Sequence, residues 1–340
     1  MITPIYSFVV PIYEDGYLAQ PFCEAIQVAL ERLLGQADIA DQVEVIFVND
    51  GSRNEAQELL VAASRRFPFV KVIELSRNFG QHVAVSCGYR FASGEFVGMI
   101  NADLQDPPDQ IGALLQAMTK GDYDIAVGLR TERGESLLNA ITSRVFHTVL
   151  NLLTGAKTPV NAASLRIMTR QFVDAYNSLN EKTPFIPGLE NWLGFRHVYV
   201  PIRHQHRTLG KSSYTFRKRW RMAVESIIGF SDLPMRFAAA LGFSITSVGM
   251  LLSAGLILQR MFFVDFVPGY TSTITLIVFL GGLNLMFLGL VSLYVGRILR
   301  EVQGRPRFIV KSFERFSFAD TKRNLGVLQE AIESQQILRT

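Results

Sequence analysis

The sequence FVGMINADLQDPP, residues 96–108, joins a short apolar run to a group of oxygen-bearing side chains. The run Phe96 to Ile100 predicts a buried β-strand, because it is short and polar turn residues follow it at once. Asn101, Asp103 and Gln105 come next at alternate positions, and side chains two apart in an extended segment point the same way. Their oxygens are the ligands that hard divalent cations prefer. The stretch therefore predicts a strand end that holds Mg²⁺ or Mn²⁺ together with a diphosphate.

Two other polar features have structural interpretations. Asp106 precedes Pro107, and this order predicts a helix N-cap followed by a first-turn proline. His204 and His206 are two apart with no third metal ligand nearby, so they are interpreted as polar residues on a strand or loop.

Apolar runs of strand length recur in the N-terminal part of the chain, with amphipathic stretches between them. The other four runs are Tyr6 to Val10, Val43 to Val48, Lys71 to Leu75 and Ile125 to Val127. Ala25 to Leu34 and Ala56 to Phe67 have apolar residues at helical spacing. This alternation predicts an α/β fold with a doubly wound, mostly parallel sheet. Ligands of such sheets bind beyond the carboxyl ends of the strands.

Polar residues follow the other predicted strands where each one ends. They are Pro11 to Asp15, Asn49 to Ser52 and Ser76 to Asn78. Asp50 is well placed to accept hydrogen bonds from a base or ribose, and Gly51 lets the backbone turn tightly. Asn-Asp-Gly-Ser is also an ordinary turn, so both interpretations stay open for this motif by itself.

The apolar residues, 49% of the chain, are concentrated in two uncharged stretches. Neither Phe237 to Gln259 nor Phe266 to Gly296 contains a charged residue, whereas residues 1–235 have an ordinary globular composition. A helix over the first stretch is roughly 35 Å long, enough to cross about 30 Å of hydrocarbon. A second span from about Ser272 to Gly296, after a turn within Arg260 to Thr271, completes a predicted hairpin. Two buried core helices are the alternative.

Basic residues set the predicted orientation and the domain boundaries. They flank the hairpin on both sides with Arg260 alone in the link, so the positive-inside rule predicts a multi-pass cytoplasmic-membrane protein with both termini cytoplasmic. Trp220 to Phe230 and Leu137 to Leu153 are candidates for helices lying on the membrane, with ordinary surface helices as the alternative. The predicted divisions are a domain at 1–215, an interfacial helix at 216–235, spans at 236–298 and a cytoplasmic tail at 299–340.

Charge and cysteine content exclude several classes of function. A net charge of +4, without long basic runs interleaved with aromatics, argues against a nucleic-acid partner. Cys23 and Cys87 have no motif spacing, so neither a disulfide framework nor a zinc site is predicted. The N-terminus lacks the features of a signal peptide, so the first domain is expected to stay in the cytosol.

Four ordered motifs resemble those of family 2 glycosyltransferases. They are Val10 to Tyr13, Val48 to Ser52, Leu75 to Gly80 and Ala102 to Pro108. More narrowly, the chain is similar to GT-A polyprenyl-phosphate glycosyltransferases with a C-terminal membrane hairpin. That group is related to dolichol-phosphate mannose synthase and includes bacterial undecaprenyl-phosphate glucosyl and aminoarabinosyl transferases. The resemblance covers nearly the whole chain.

The resemblance implies a reaction and a set of site residues. The implied reaction is inverting transfer of a sugar from a nucleotide diphosphate sugar, UDP-linked, to undecaprenyl phosphate for cell-envelope glycan modification, including lipopolysaccharide. By similarity, the nucleotide site is lined by Pro11, Tyr13, Asp15, Asp50, Asn78 and Ala102. The implied metal ligands are Asp103, Gln105 and Asn101. The candidate cations for the lipid phosphate are Arg130, Arg166, Arg207 and Lys211.

Three departures from the family pattern matter, and the mildest is Glu14-Asp15 after Tyr13, where the family often has Glu or Asn-Glu. Asn101 stands where the metal motif usually begins with aspartate, which removes one negative charge and predicts weaker metal binding. Ser164 stands where relatives tend to carry the aspartate of Gly-Asp-Phe-Arg, and an unactivated serine cannot act as a base at neutral pH. A phosphate monoester is mostly ionised near pH 7, since its second pKa is about 6. Ser164 is therefore predicted to change sugar specificity rather than to abolish transfer.

Two other functions stay open at the level of sequence. A processive polysaccharide synthase shares the nucleotide site but needs a Gln-x-x-Arg-Trp motif and more spans than one hairpin. A non-catalytic membrane scaffold with a degenerate transferase fold is motivated by Asn101 and Ser164. Glycines on the predicted spans are compatible with a homo-oligomer, because they allow close helix contacts.

Overall fold

A computed structural model describes residues 4–35, 39–131, 159, 161–179, 181–182, 184–205 and 269–316, with isolated residues between 235 and 251. The chain divides into two compact units. The first contains Met1–Thr148, Ala156–Tyr214 and Gly304–Thr340, and the second contains Val149–Gly155 and Thr215–Gln303. The predicted surface helices at 137–153 and 216–235, and most of the span at 237–259, lie outside the described residues.

The first unit is built on an eight-stranded sheet with the order β7-β5-β6-β4-β1-β2-β3-β8. The strands are β1 (Tyr6–Ile12), β2 (Val43–Asn49), β3 (Val70–Leu75), β4 (Phe96–Met99), β5 (Ile125–Arg130), β6 (Ala162–Thr169), β7 (His197–Ile202) and β8 (Val310–Glu314). Strands β4, β1, β2 and β3 are mutually parallel, and we call them the parallel half. Strands β6, β5 and β7 form the mixed half, because β6 runs antiparallel to both β4 and β5.

Helices cover both faces of the sheet. In the first unit they are α1 (Ala19–Leu34), α2 (Ile39–Gln42), α3 (Ala56–Arg66), α4 (Gln81–Phe91), α5 (Ile111–Gly121), α6 (Arg170–Ser178) and α7 (Ile186–Trp192). On one face, Phe22 of α1 packs edge-on against Phe47 of β2, with ring centroids 5.8 Å apart. On the other, Gly88 of α4 lies so close to Val9 that an added Cβ would be 2.1 Å from a methyl carbon. This double coverage explains why β1 and β2 read as continuous apolar runs.

The sequence predictions hold best in the parallel half. All five predicted strands are confirmed, although β4 ends at Met99, and α1 begins before the predicted helix. Strands β6, β7 and β8 were not predicted. Four of the seven strand pairings are parallel, so the sheet is mixed and the prediction of a mostly parallel sheet is confirmed only for one half.

The described part of the second unit is dominated by α8 (Tyr270–Val302), a helix of 33 residues. Within it, Leu280–Val302 is long and apolar enough to cross a membrane, with a mean hydropathy of 1.6. It is the one such helix in the part of the chain that the structure describes. The helix continues beyond the predicted end at Gly296 and includes Arg297 and Arg300.

The segment after α8, which lies within the predicted tail at 299–340, belongs to the first unit. Strand β8 pairs antiparallel with β3. The buried Glu74 carboxylate of β3 accepts hydrogen bonds from Lys311 Nζ at 2.6 Å and from Ser312 Oγ at 2.8 Å. Phe313 packs against Phe91 of α4, with ring centroids 5.1 Å apart. Residues 310–314 therefore complete the sheet of the first unit.

Candidate active site

The predicted site residues that the structure describes gather along one edge of the sheet. The carboxyl ends of β1 to β4 meet there, because these strands are parallel. Strand β6 runs the opposite way, so its amino end, with Ser164, lies at the same edge. Strands β5 and β7 bring their carboxyl ends to it as well, with Arg130 at the end of β5. We call this edge the site edge.

Asp50 holds the loop that follows β3. Its side chain is buried, and its two carboxylate oxygens accept hydrogen bonds from the backbone N–H groups of Phe79 at 2.7 Å and Gly80 at 2.8 Å. Burial raises the pKa of this carboxyl group, whereas the two backbone hydrogen bonds oppose the rise because they favour the charged form. The contact fixes the loop that carries Asn78, another predicted nucleotide residue.

The loops after β1, β2 and β3 are in direct contact. Gly51 has a φ of 64°, and a Cβ there would lie 2.2 Å from the backbone carbonyl carbon of Arg77, so only glycine fits this turn. The Ser52 hydroxyl accepts a hydrogen bond from the Glu14 backbone N–H at 2.9 Å. Glu14 has a φ of 61°, a left-handed conformation that is uncommon for such residues and clusters at functional sites. The three loops therefore form one connected surface.

The remaining predicted nucleotide residues differ in their exposure at this surface. Tyr13 and Asn78 are exposed, and Pro11 and Asp15 are half-buried. Ala102 is buried and its side chain belongs to the hydrophobic core, so only its backbone is available to a ligand. The structure thus brings these five residues to one edge of the sheet.

The loop of the predicted metal site is a turn rather than an extended segment. Residues 101–106 have no strand structure, and Leu104 has a φ of 56°. The expectation that alternate side chains face one way is therefore wrong as a geometric argument, because it requires an extended backbone. The turn is closed by the Gln105 backbone N–H, which donates to Asp103 Oδ1 at 3.2 Å. Asp103 and Gln105 are both half-buried at the site edge.

Two of the residues that depart from the family pattern contact each other. Asn101 Nδ2 donates a hydrogen bond to Ser164 Oγ at 3.0 Å. Asn101 Oδ1 accepts one from Gln81 Nε2, at the start of α4, at 3.3 Å. Asn101 therefore links β4 to β6 and to α4, and its amide is already engaged on both sides.

The fit of a divalent cation to this loop depends mainly on Asp103. In the described ranges, no three His, Cys, Asp or Glu side chains come together as a metal site. One carboxylate and the neighbouring amide oxygens suit Mg²⁺ or Mn²⁺ that is also held by substrate phosphates, since Mg²⁺ is often bound by one or two carboxylates plus a diphosphate. The residues present therefore fit a cation that arrives with the nucleotide and do not form a closed protein cage.

Asp106 is a buried ion-pair partner, and its predicted role as a helix N-cap is wrong. It is 2% exposed, and both carboxylate oxygens accept hydrogen bonds from Arg130 at 3.0 Å. The Ser164 backbone N–H donates to the same carboxylate at 3.1 Å, and His204 Nδ1 lies 3.3 Å from it. The residue before the short turn Pro108–Gln110 is Pro107, and Asp106 points to the sheet instead. His204 was interpreted from the sequence as a polar residue on a strand or loop without a metal-binding role. The structure places it at the site edge.

Arg166 is buried behind the site edge. Its Nη1 donates to both carboxylate oxygens of Glu190, at 2.8 and 2.7 Å, and Nη2 donates to the Ala163 carbonyl at 3.0 Å. Both members of the ion pair are less than a tenth exposed. These contacts occupy the guanidinium that the resemblance assigned to the lipid phosphate. No sequence pattern pointed to Glu190, which lies in α7 far along the chain from β6.

Three candidate cations remain after Arg166. Arg207 and Lys211 lie outside the described residues. The described chain reaches Gln205, whose backbone N–H donates to the Gln105 carbonyl at 2.9 Å. The segment that leads to Arg207 is therefore attached to the loop of Asp103. Arg130 is 30% exposed at its side chain and keeps part of its surface open while paired with Asp106.

Comparisons with known proteins agree on one family. The family model described as Glycosyl transferase family 2 matches residues 7–176. An uncharacterized glycosyltransferase of Synechocystis sp. is 35% identical, over 89% of this chain and 94% of that protein. A SfII prophage-derived bactoprenol glucosyl transferase of Shigella flexneri is 31% identical, over 91% of this chain and 98% of that protein. An undecaprenyl-phosphate 4-deoxy-4-formamido-L-arabinose transferase of Photorhabdus laumondii is 29% identical, over 90% and 93%.

The family match and the geometry concern the same residues. The matched range contains β1 to β6, and with them the loops of Asp50 and Asp103 and the amino end of β6. The similarity to the relatives extends through the second unit, since each alignment covers about nine tenths of the chain. The chain therefore belongs to glycosyl transferase family 2 and is a glycosyltransferase.

Proposed function

We propose that this enzyme transfers a sugar from a nucleotide diphosphate sugar, UDP-linked, to undecaprenyl phosphate, with inversion at the anomeric carbon. The observation that carries the proposal is the continuous set of contacts along the site edge. Asp50 holds the loop after β3, Gln81 contacts Asn101, and Asn101 contacts Ser164. Hydrogen bonds thus connect the loops assigned to the nucleotide with the candidate metal loop at the site edge.

The acceptor is inferred from what two relatives have in common. One is named a bactoprenol glucosyl transferase and the other an undecaprenyl-phosphate formamidoarabinose transferase. The sugars in these names differ, whereas both names contain a polyprenyl carrier. This supports a polyprenyl phosphate acceptor for the present chain and leaves its sugar open. The product then serves cell-envelope glycan modification.

In the proposed reaction, a phosphate oxygen of the lipid attacks the anomeric carbon opposite the leaving nucleoside diphosphate. Mg²⁺ or Mn²⁺, when bound, would neutralise the negative charge that develops on the leaving diphosphate. Asp103, with Gln105, would hold this cation, and the loops around Asp50 would orient the nucleotide. Arg130, Arg207 and Lys211 hold the anionic lipid phosphate in line. No carboxylate base is needed, because the phosphate monoester is already mostly ionised near pH 7.

The membrane hairpin is supported by the path of the chain. Strands β7 and β8 belong to the same sheet, and the described spanning candidate, Leu280–Val302, lies between them in sequence. A chain that leaves a domain and returns to it must cross a membrane an even number of times. We therefore propose a second crossing at 237–259, with both termini in the cytoplasm. Reporter fusions to the two termini test this proposal, and a periplasmic C-terminus contradicts it.

The function is tested by sugar transfer with purified full-length protein. A panel of radiolabelled nucleotide sugars is incubated with undecaprenyl phosphate and Mn²⁺, and the lipid product is identified by mass. We expect one donor to give a lipid monophosphate-linked sugar. The anomeric configuration of the product then tests inversion.

Asp103→Ala is the decisive variant for this assay. We expect a loss of at least about 100-fold in kcat, because charge stabilisation of a leaving group typically contributes several kcal/mol. Asp109→Ala is the matched control, since Asp109 is exposed and pairs with Arg203 at the surface. Folded wild-type protein that transfers no sugar from any donor supports the scaffold alternative instead, which the family membership disfavours.

A further inference from the structure

We propose that Asn101 and Ser164 together form an uncharged pair of hydrogen-bond donors that binds the phosphate of the acceptor lipid. This inference rests on the proposed function and concerns the substrate group that the pair contacts. The two residues are 63 positions apart in sequence and meet at the site edge through the 3.0 Å hydrogen bond between their side chains. Both are half-buried, so a ligand can reach them.

The direction of this hydrogen bond leaves donors available. An amide nitrogen can only donate, so Ser164 Oγ is the acceptor and its own hydrogen is not used in the pair. Within the described ranges, that hydroxyl donates to no other group. Asn101 Nδ2 carries a second hydrogen, and the contact from Gln81 to Oδ1 orients the amide. Two donors therefore remain, one from each residue.

The pair is held in a fixed position. The Ser164 backbone N–H donates to Asp106, and the Asp106 carboxylate also accepts hydrogen bonds from Nε and Nη2 of Arg130. Asn101 follows the buried residue Ile100, just after β4, and is hydrogen-bonded at both the nitrogen and the oxygen of its amide. Donors that are positioned before the ligand binds lose little freedom on binding.

The pair is uncharged, whereas a carboxylate at either position would add a negative charge close to Asp103. The buried charge of Asp106 is balanced by Arg130, and Asp103 is the proposed metal ligand. A carboxylate at position 101 or 164 would offer only acceptors and would repel a phosphate. Amide and hydroxyl groups donate to phosphate oxygens without that repulsion. At both positions, a group that could only accept hydrogen bonds is thus replaced by one that can donate them to a phosphate.

The test measures acceptor and donor binding separately in full-length protein in detergent. Binding of farnesyl phosphate is measured directly, with farnesol as the ligand without phosphate, and donor affinity is measured with the preferred nucleotide sugar. We expect Ser164→Asp and Asn101→Asp each to weaken farnesyl phosphate binding at least about tenfold, which corresponds to about 1.4 kcal/mol. Farnesol binding should change less than about twofold in both variants, and so should the donor affinity of Ser164→Asp.

Conservative variants separate hydrogen bonding from folding. Ser164→Thr keeps the hydroxyl and should bind farnesyl phosphate within about threefold of wild type, whereas Ser164→Ala should bind it more weakly than Ser164→Thr. Ser178→Asp, an exposed change in α6, is the matched control for added charge and should leave both affinities unchanged. Weakened donor affinity with unchanged farnesyl phosphate binding would overturn the proposal and assign the pair to the sugar.

The binding measurement also separates this inference from the proposed function, because it needs no turnover. Wild-type protein that binds farnesyl phosphate but transfers no sugar contradicts the proposed function, and the same variants still test the pair. Ser164→Asp protein that binds farnesyl phosphate as well as wild type contradicts the pair, whatever the transfer assay shows.

Discussion

The parallel half and the mixed half meet at one site edge but hold their side chains in different ways. In the parallel half, the loops are fixed by hydrogen bonds from backbone N–H groups to side chains, as between Asp50 and the loop after β3. In the mixed half, the side chains are held by two ion pairs, the fully buried Arg166–Glu190 and the partly exposed Arg130–Asp106. The hydrogen bonds of Asp50 connect two loops, whereas the ion pairs connect β5 to the loop after β4 and β6 to α7.

This difference predicts where substitutions affect stability and where they affect binding. A buried ion pair gains little net stability over a well-packed apolar pair, yet removing one partner leaves a buried charge without compensation. Loss of a loop hydrogen bond leaves groups that water can reach. We therefore expect changes in the mixed half to lower stability, and changes in the parallel half to lower donor affinity.

The largest effect is expected from Glu190→Gln in the mixed half. The change leaves the buried Arg166 guanidinium without a counter-charge and should lower stability by about 3 kcal/mol. In a domain of this size that corresponds to a fall in Tm of roughly 6–12 °C, measured by thermal unfolding in detergent. Asp122→Asn is the control, because its pair with Arg196 lies at the surface and should not change Tm. Equal Tm values for both variants would remove the distinction between the halves.

A smaller effect, on affinity rather than stability, is expected from Asp50→Asn in the parallel half. Asparagine keeps one acceptor and turns an NH₂ group towards a backbone N–H, so one of the two bonds to the loop is lost. Hydrogen bonds to charged groups contribute about 1.5–3 kcal/mol, which predicts a rise in donor KM of about tenfold or more. The acceptor KM should stay within about twofold. A large fall in Tm with an unchanged donor KM is the result that contradicts this prediction.

The smallest effect concerns pH and His82, which lies in α4. Burial, together with the charge of Arg166, lowers the pKa of His82 to about 4. The unfolded chain, with a pKa near 6.5, therefore takes up a proton before the folded one does, and stability is lost as pH falls below about 6.5. Between pH 7 and 5 we expect this group to account for about 1–2 kcal/mol. His82→Gln should make the fall of Tm with pH shallower than in wild type, and parallel curves would exclude His82 as the cause.

The parallel half could be predicted from the sequence because its elements are local. Each strand there is an apolar run of its own, and its polar loop follows directly in the chain. Asp50 was identified at the end of such a run, although its bonds to Phe79 and Gly80 were not. Those bonds connect residues about 30 positions apart, and periodicity does not report contacts of that kind.

The mixed half could not be predicted in the same way because its strands are defined by distant partners. The predicted role of Asp106 was local, an N-cap, whereas its actual partners are Arg130, Ser164 and His204. Glu190 gave no signal, since an acid in a short helix is more often exposed than buried. Within this half, the run Ile125 to Val127 did predict β5, and the alternate apolar residues Val198, Val200 and Ile202 of β7 also favour a strand.

Strand β8 has a consequence for how the enzyme is made. The ribosome synthesises α8 before residues 310–314, and the sheet stays one strand short until those residues emerge. Glu74 has no partners from β8 during that interval, and the loop after β3 lacks its backbone bond from Ser76 to Ile309. The catalytic unit is thus discontinuous in sequence, and its last strand is added only after the apolar helix has been made. Completion of the fold therefore waits for the synthesis of α8 and of the residues that follow it, and a fragment that ends before α8 lacks one edge of its own sheet.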